Sequence, residues 1–200
     1  MGSGYASVSV VGDRIFTSGN SDKAQFVVAV SAKDGTKLWS TPITDSVPEH
    51  RYDGSRTTPT VEGDFLYVVG SSGNIACLQV ADGKLVWSRS FGDWGGTMMS
   101  GWGFSESPLV DGDWVICTPG GPKGMMVALN KRTGESVWSA TLADPGSETG
   151  RNGKPLKDGA GYSSIMVSNG GGVKQYVQLV GRGVIGVRAS DGKILWRYAG

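Results

Sequence analysis

Histidine and cysteine are almost absent from this 200-residue chain, which holds one histidine and two cysteines. The single histidine, His50, excludes zinc sites built from several histidines and leaves a Ser-His-Asp triad dependent on one loop residue. Cys77 and Cys117 lie far apart within apolar runs, which favours buried free thiols over a disulfide. We therefore predict no metal site and assign no catalytic residue.

A dominant charge and a long apolar run are also missing. The formal net charge is +1, so the chain has no basic footprint for nucleic acid and no polybasic patch for a membrane surface. No stretch approaches the roughly 18 uncharged apolar residues that indicate a membrane span. Residues 1–4 form neither the basic nor the apolar region of a signal peptide. We expect no nucleic-acid partner, no membrane span and no signal peptide in this sequence.

Glycine, by contrast, is abundant, with 33 residues. The glycines follow no three-residue period, which excludes collagen. An apolar share of 38% is enough for a packed core, and a charged share of 18% is too low for a disordered chain. The composition therefore indicates many tight turns and hence many short strands.

Four segments of the sequence repeat one another without a gap, at 29–39, 77–87, 128–138 and 186–196. Each begins with a small residue, passes through a turn glycine and ends on a tryptophan. The turn glycines are Gly35, Gly83, Gly134 and Gly192, and the tryptophans are Trp39, Trp87, Trp138 and Trp196. The tryptophans recur about every 50 residues, a spacing that suits one four-stranded propeller blade plus a variable loop.

Each position of the repeat has a physical reason. Asp-Gly, or Thr-Gly in the third copy, supplies the left-handed backbone that a tight hairpin needs. The small residue stands on a strand where neighbouring blades approach closely. The tryptophan closes the last strand, and we predict that it docks against the next blade. Replacing a fully packed tryptophan by alanine costs about 3–5 kcal/mol, so four such contacts can hold four blades in register.

A second pattern precedes each signature and consists of a strand, a Gly-Asp turn and another strand. It begins at Ser7, Thr58 and Ser107, with a looser copy at Ser164. Apolar and polar residues alternate in these runs as in strands, and no window carries a helical stripe. We predict an all-β β-propeller segment over residues 1–200, with four four-stranded blades. Their approximate bounds are 5–41, 56–91, 105–142 and 161–199.

The repeated signature resembles the tryptophan-docking motif A-x-D-x-x-T-G-x-x-x-W of quinoprotein (pyrroloquinoline quinone, PQQ) dehydrogenase-like propellers. The motif's aspartate position holds Ser31, Gln79, Asn130 and Arg188. The runs 56–64 and 101–113 are similar to PQQ-like repeat proteins of bacterial envelopes, many of which have no demonstrated enzymatic activity. The resemblance implies an eight-bladed, exported protein in a periplasmic or secreted setting.

Four blades make half of such a ring. An open half-ring would expose two apolar blade faces, an unusual patch for a soluble monomer. Our hypothesis is that two chains pair head to tail around a two-fold axis, so that a homodimer closes an eight-bladed ring. The alternative is that the missing half belongs to the same parent chain.

Ligands of propellers bind where the loops between blades surround the central channel. The three long loops are 41–55, 91–105 and 143–161, and the third holds Asp144, Glu148, Arg151, Lys154 and Lys157. The candidate ligand-binding or cofactor-binding residues are Arg51, Asp53, Arg56, Trp94, Trp102, Glu106 and Tyr162.

These candidates allow two interpretations. Trp94 and Trp102 break the structural period, so their indoles could stack on a planar cofactor or a sugar, or could plug the channel against neighbouring loops. Arg56, Glu106 and Tyr162 stand where successive inner strands begin, near the expected channel mouth. Arg56 and Glu106 would form either an ion pair between blades or a ligand clamp.

The leading functional hypothesis is a non-catalytic scaffold or binding module that presents its loops to a protein or small ligand. The alternatives are a PQQ-dependent alcohol dehydrogenase-like quinoprotein, or a fragment of one, and a carbohydrate-binding module. For the quinoprotein, the resemblance implies PQQ with calcium, an adjacent cysteine pair and a Glu/Asn/Asp set around the metal. The sequence has no adjacent cysteines, which favours the scaffold, and no cofactor is established.

Overall fold

The computed structural model describes residues 2–143, 149–150, 153 and 155–199. Within these residues the chain forms sixteen β-strands in four antiparallel sheets, with short 3₁₀ turns at Phe91–Trp94 and Gly170–Gly172. The predicted all-β fold with four four-stranded sheets is confirmed.

Each sheet is one blade, and its strands are hydrogen-bonded in chain order. Blade 1 consists of β1 (Ser9–Val11), β2 (Arg14–Asn20), β3 (Gln25–Ser31) and β4 (Lys37–Pro42). Blade 2 consists of β5 (Thr60–Glu62), β6 (Phe65–Gly70), β7 (Asn74–Gln79) and β8 (Leu85–Ser90). Blade 3 consists of β9 (Leu109–Asp111), β10 (Trp114–Cys117), β11 (Met126–Asn130) and β12 (Ser136–Ala140). Blade 4 consists of β13 (Met166–Ser168), β14 (Gln175–Val180), β15 (Gly183–Arg188) and β16 (Ile194–Tyr198).

Glycine begins the hairpin between the first two strands in three of the blades. In blade 1, Gly12 and Asp13 form a two-residue loop, and the φ angle of Gly12 is 59°. Gly63 and Gly112 repeat this conformation, with φ angles of 57° and 60°. A positive φ at the first loop position matches the twist of an antiparallel hairpin, and glycine adopts it without strain. In blade 4 the 3₁₀ turn Gly170–Gly172 lies between β13 and β14, where the sequence repeat is loosest.

The tryptophan of each last strand lies directly opposite the small residue of the third strand. The pairs are Ala29 with Trp39, Cys77 with Trp87, Ala128 with Trp138 and Gly186 with Trp196. Directly opposite side chains share one face of a sheet, so the small residue leaves room for the indole. The register shifts immediately after the small residue in all four blades, as at a β-bulge.

The apolar core lies between successive blades. At the first junction, Phe16, Val27, Ala29 and Trp39 of blade 1 pack with Leu66, Val68, Ala76 and Leu78 of blade 2. Comparable clusters join blade 2 to blade 3 and blade 3 to blade 4. Blades 2 and 3 each contribute to two of these clusters, so the four blades are joined in chain order.

Three of the four repeat tryptophans are buried at these junctions. Trp39 and Trp87 are each 9% exposed, and Trp138 is 8% exposed. Trp196 is 40% exposed, because it lies on a face of blade 4 that no other described blade covers.

Candidate functional site

Three exposed aromatic side chains, Tyr52, Trp102 and Tyr162, meet on the inter-blade loops, and we call them the aromatic triad. The ring centres of Tyr52 and Trp102 are 5.6 Å apart in an edge-to-face arrangement. Those of Trp102 and Tyr162 are 5.8 Å apart. The exposed fractions of the three residues are 58%, 46% and 37%. The hydroxyl of Ser100 forms a hydrogen bond with that of Tyr162, so the triad presents both apolar rings and polar groups.

Backbone hydrogen bonds bring the supporting segments together. The N–H of Arg51, in the first inter-blade loop, donates to the carbonyl of Gly101, in the second, at 3.1 Å. The N–H of Met99 donates to the carbonyl of Ala160, which precedes blade 4, also at 3.1 Å. Main-chain hydrogen bonds therefore hold together the three loop segments that carry the triad, although these segments are distant in sequence.

Tyr52 has a left-handed backbone conformation with a φ angle of 61°, and among the described residues no other non-glycine residue has a positive φ. Such a conformation costs about 1–3 kcal/mol and persists where its surroundings enforce it. The guanidinium of Arg56 donates to the carbonyls of Arg51 and Gly54, each at 2.9 Å, and to the carbonyl of Tyr52 itself. The same guanidinium lies 5.3 Å from the ring centre of Tyr5. Arg56 is therefore placed to position Tyr52.

The other predicted residues of the first loop surround the triad with mixed charge. Arg51 and Asp53 are exposed on either side of Tyr52 in the chain. The Nε2 atom of His50 lies 2.9 Å from the hydroxyl oxygen of Ser71, in hydrogen-bond contact. This contact ties the base of the loop to blade 2.

Trp94 is buried in the core between blades 2 and 3, where its exposed fraction is 6%. The guanidinium of Arg89 lies 5.1 Å from its ring centre. A Cβ atom added to Gly124 would stand 2.7 Å from the indole, which shows how closely the backbone approaches it. Trp94 therefore packs against neighbouring structure, as in the second interpretation. Trp102 is exposed, so the two indoles do not form one stacking surface.

Glu106 is buried at the junction of blades 3 and 4, with an exposed fraction of 3%. Its Oε1 accepts the N–H of Thr118 at 2.7 Å, and its Oε2 accepts Nε2 of Gln178 at 2.7 Å. Burial raises the pKa of this carboxyl to about 7, against the lowering effect of the hydrogen bonds. Of the two interpretations of Arg56 and Glu106, the ion pair does not form among the described residues, because Arg56 bonds the carbonyls of its own loop.

Both cysteines are free and buried, as the apolar runs around them indicate. Burial raises the pKa of the Cys77 thiol to about 12 and that of Cys117 well above its ordinary value. The nucleophilic form of cysteine is the thiolate, so both thiols are held in their inert form.

Most of the predicted residues of the third loop, namely Asp144, Glu148, Arg151 and Lys154, lie outside the described residues. Lys157 is described and exposed. In the part of the chain that the structure covers, no three His, Cys, Asp or Glu side chains form a group that could hold a metal ion. The same part contains no helix long and apolar enough to cross a membrane.

Sequence reasoning selected Trp102 and Tyr162 but missed Tyr52 and Ser100. Tyr52 was detectable as an aromatic residue in a loop that already held predicted candidates. Ser100 carried no signal, because its contact with the Tyr162 hydroxyl depends on the approach of segments far apart in sequence.

Four meander blades with an indole opposite a small residue in each define a PQQ-like β-propeller segment. The chain belongs to the PQQ-like repeat family described as outer membrane protein assembly factor BamB, whose family model matches residues 6–199. The resemblance drawn from the repeated signature is thereby confirmed.

Individual relatives are more distant. The chain is 28% identical to the outer membrane protein assembly factor BamB of Kangiella koreensis over 118 residues, which cover 56% of this chain and 26% of that protein. It is 26% identical to the dehydrogenase subunit of the alcohol dehydrogenase (quinone) of Gluconacetobacter polyoxogenes over 157 residues, or 72% of this chain and 20% of that protein. The chain thus spans about a quarter or less of the length of these curated relatives.

Among solved structures, the chain is similar to the quinohemoprotein alcohol dehydrogenase from Comamonas testosteroni. The TM-score is 0.64 at 18% sequence identity, and the match covers 98% of this chain and 35% of the other. At this identity the likeness shows a shared fold.

Proposed function

We propose that this chain is a non-catalytic propeller scaffold that presents its loop face to a protein ligand, with the aromatic triad as the contact site. The observation that carries the proposal is the exposed Trp102 between Tyr52 and Tyr162. Tyrosine and tryptophan dominate the energetics of protein interfaces because they offer a large apolar surface with few rotatable bonds. The family description, an outer membrane protein assembly factor, is consistent with such a role.

The hydrogen bonds that hold two members of the triad support the same proposal. Arg56 holds the backbone of Tyr52 through three carbonyls, and the Ser100 hydroxyl holds Tyr162. A surface that is ordered before binding loses little conformational entropy when a partner arrives. The exposed Arg51 and Asp53 would form a polar rim of mixed charge, as interfaces commonly have.

A quinone cofactor is not part of this proposal, because the donor residues do not fit the site that the quinoprotein resemblance implies. The two cysteines lie in different blades, each buried. Among the described residues Glu106 is the buried carboxylate, and both of its oxygens bond protein groups.

The proposal is tested by selecting random peptides displayed on phage against the wild-type chain. The dissociation constants of the selected peptides are then measured for Trp102→Ala. We expect a loss of at least about 30-fold, the equivalent of a hot-spot residue worth about 2 kcal/mol. Val10→Ala, an exposed apolar residue on β1, is the matched control and should leave binding unchanged.

Three results would contradict the proposal in different ways. Equal binding of the selected peptides to wild type and Trp102→Ala would remove the triad as the protein site. Quenching of tryptophan fluorescence by oligosaccharides, abolished in Trp102→Ala, would instead favour a carbohydrate-binding module. A bound-quinone absorption spectrum with dye reduction, after addition of PQQ and calcium, would favour a dehydrogenase.

We also propose, as a finer part of the same function, that two copies pair head to tail to close the ring and that the protein works in the periplasm. The pairing is supported by the exposed face of blade 4, on which Trp196 is 40% exposed. The location is supported by the family to which the chain belongs.

A further inference from the structure

The same side-chain contact recurs at all three junctions between blades. The indole at the end of one blade lies over the turn glycine of the next. A Cβ atom added to Gly83 would stand 2.5 Å from the ring of Trp39, and one added to Gly134 would stand 2.7 Å from the ring of Trp87. At the third junction, a Cβ atom added to Gly192 would stand 2.5 Å from the ring of Trp138. Any side chain in place of these glycines would therefore displace the indole.

A hydrogen bond accompanies this contact at the first two junctions. Nε1 of Trp39 donates to the carbonyl of Val80, and Nε1 of Trp87 donates to the carbonyl of Lys131, both at 3.0 Å. Each acceptor belongs to the turn that carries the contacted glycine. Each of these two junctions therefore combines apolar packing with a hydrogen bond that fixes the orientation of the indole.

Two halves of this contact have no counterpart among the described residues. Gly35, the turn glycine of blade 1, has φ of 73° like the others, but a Cβ atom there would meet nothing within 4 Å. Trp196 of blade 4 is 40% exposed, and its Nε1 donates to Oε1 of Gln175 in its own blade at 2.6 Å. Within the described residues, the indole of Trp196 therefore covers no turn glycine, and no indole covers Gly35.

Apolar side chains lie beside both halves of the contact. On the free face of blade 4, the register of β14, β15 and β16 puts Leu179 and Tyr198 beside Trp196, with exposed fractions of 40% and 63%. On the free face of blade 1, alternate residues of β3, including Phe26 and Val28, line a groove of about 360 Å³. Polar residues and a glycine complete the lining of this groove beside its apolar side chains.

We infer that Trp196 of one copy lies over Gly35 of a second copy and forms a fourth junction of the same kind. The inference rests on the pairing proposed above and names the residues that make it. On pairing, the indole N–H would exchange Oε1 of Gln175 for the carbonyl of Ala32 in the second copy. The N–H of Ala32 itself bonds the carbonyl of Asp13 at 2.8 Å. Val80 is held in the same way by Asp64, at 2.9 Å, which identifies the equivalent position.

A second copy fits these faces better than an unrelated partner, because both halves of the contact are present on every copy. In a head-to-tail pair around a two-fold axis, each chain gives its indole once and receives one once. The contact is then made twice per dimer, and a single substitution removes both.

The test is the mass of the chain in solution, measured by sedimentation equilibrium over a range of concentrations, for wild type and four variants. Trp196→Ala removes the indole, and Gly35→Ala places a methyl group where the indole would lie. We expect each to raise the dimer dissociation constant at least about 100-fold, since both copies of a central contact are lost.

Two variants control for side effects. Trp102→Ala deletes an indole of similar exposure, 46%, from the aromatic triad, and should leave the dimer unchanged. Gly12→Ala imposes the same kind of backbone strain, at φ of 59°, as Gly35→Ala. A Cβ atom added to Gly12 meets nothing within 4 Å, as at its equivalents Gly63 and Gly112, so the methyl group touches no neighbouring blade and the variant should still pair.

The outcomes are distinguishable. A wild-type chain that sediments as a monomer at every concentration would overturn both the pairing and the contact. A wild-type dimer that persists in Trp196→Ala and Gly35→Ala would overturn the contact and leave the pairing intact. Neither result bears on ligand binding by the triad, which Trp102→Ala tests independently.

Discussion

At the scale of single residues, the described part of the chain combines exposed aromatic groups with one buried acid, Glu106, that is not paired with a cation. Glu106 accepts hydrogen bonds from Thr118 in blade 3 and Gln178 in blade 4, so it joins two blades. Its raised pKa means that the fold favours the protonated carboxyl over the carboxylate.

This pKa makes the stability of the protein depend on pH. A pKa near 4.5 in the unfolded chain and about 7 in the folded chain means that the folded state binds more protons between these values. The stabilising contribution is present below about pH 4.5 and is lost as the pH rises through about 7. We expect the free energy of unfolding, measured by urea titration, to fall over this interval in the wild type.

Glu106→Gln should remove this decline, because an amide cannot ionise. The matched control is Glu49→Gln, a change at an exposed glutamate, which should keep the wild-type slope. If Glu106→Gln and the wild type declined in parallel, the pH dependence would have to come from another group.

At the scale of the structural elements, the junction between blades is the unit of stability. Trp87 is buried between blades 2 and 3, whereas Trp102 is exposed on a loop. We expect Trp87→Ala to lower the free energy of unfolding by about 3–5 kcal/mol, since it leaves a cavity in the core. Guanidinium unfolding measures the loss, and Trp102→Ala should change stability by less than about 0.5 kcal/mol. Similar losses for the two variants would contradict the assignment of the core to the junctions.

The elements were predictable from the sequence because their signals are local. Each tryptophan stands a fixed distance after a turn glycine, and Gly-Asp marks the first hairpin of three blades, so four sheets could be placed in the correct order. The candidate site was predicted less completely. Glu106 and Arg56 were interpreted as an ion pair or a ligand clamp, but Arg56 bonds the carbonyls of its own loop. Only the packing of blade 4 brings Gln178 to the carboxyl group of Glu106. Contacts of this kind leave no periodic trace in a sequence.

At the scale of the whole molecule, pairing would link stability to concentration. A dimer is favoured by mass action, so a chain that pairs when folded melts at a higher temperature as its concentration rises. We expect the melting temperature of the wild type to increase over a roughly hundredfold range of concentration and that of Trp196→Ala to stay constant. A melting temperature independent of concentration in both would indicate that the folded chain does not self-associate.

The indole-on-glycine joint also has a consequence for how such a protein can grow. Every joint uses the leading face of one blade and the trailing face of the next, and an indole lies over a turn glycine at all three. A duplicated gene segment that encodes one blade would therefore enter the chain with both of its faces already matched to its new neighbours. A blade that is duplicated together with its turn glycine and its tryptophan thus brings both halves of a junction with it.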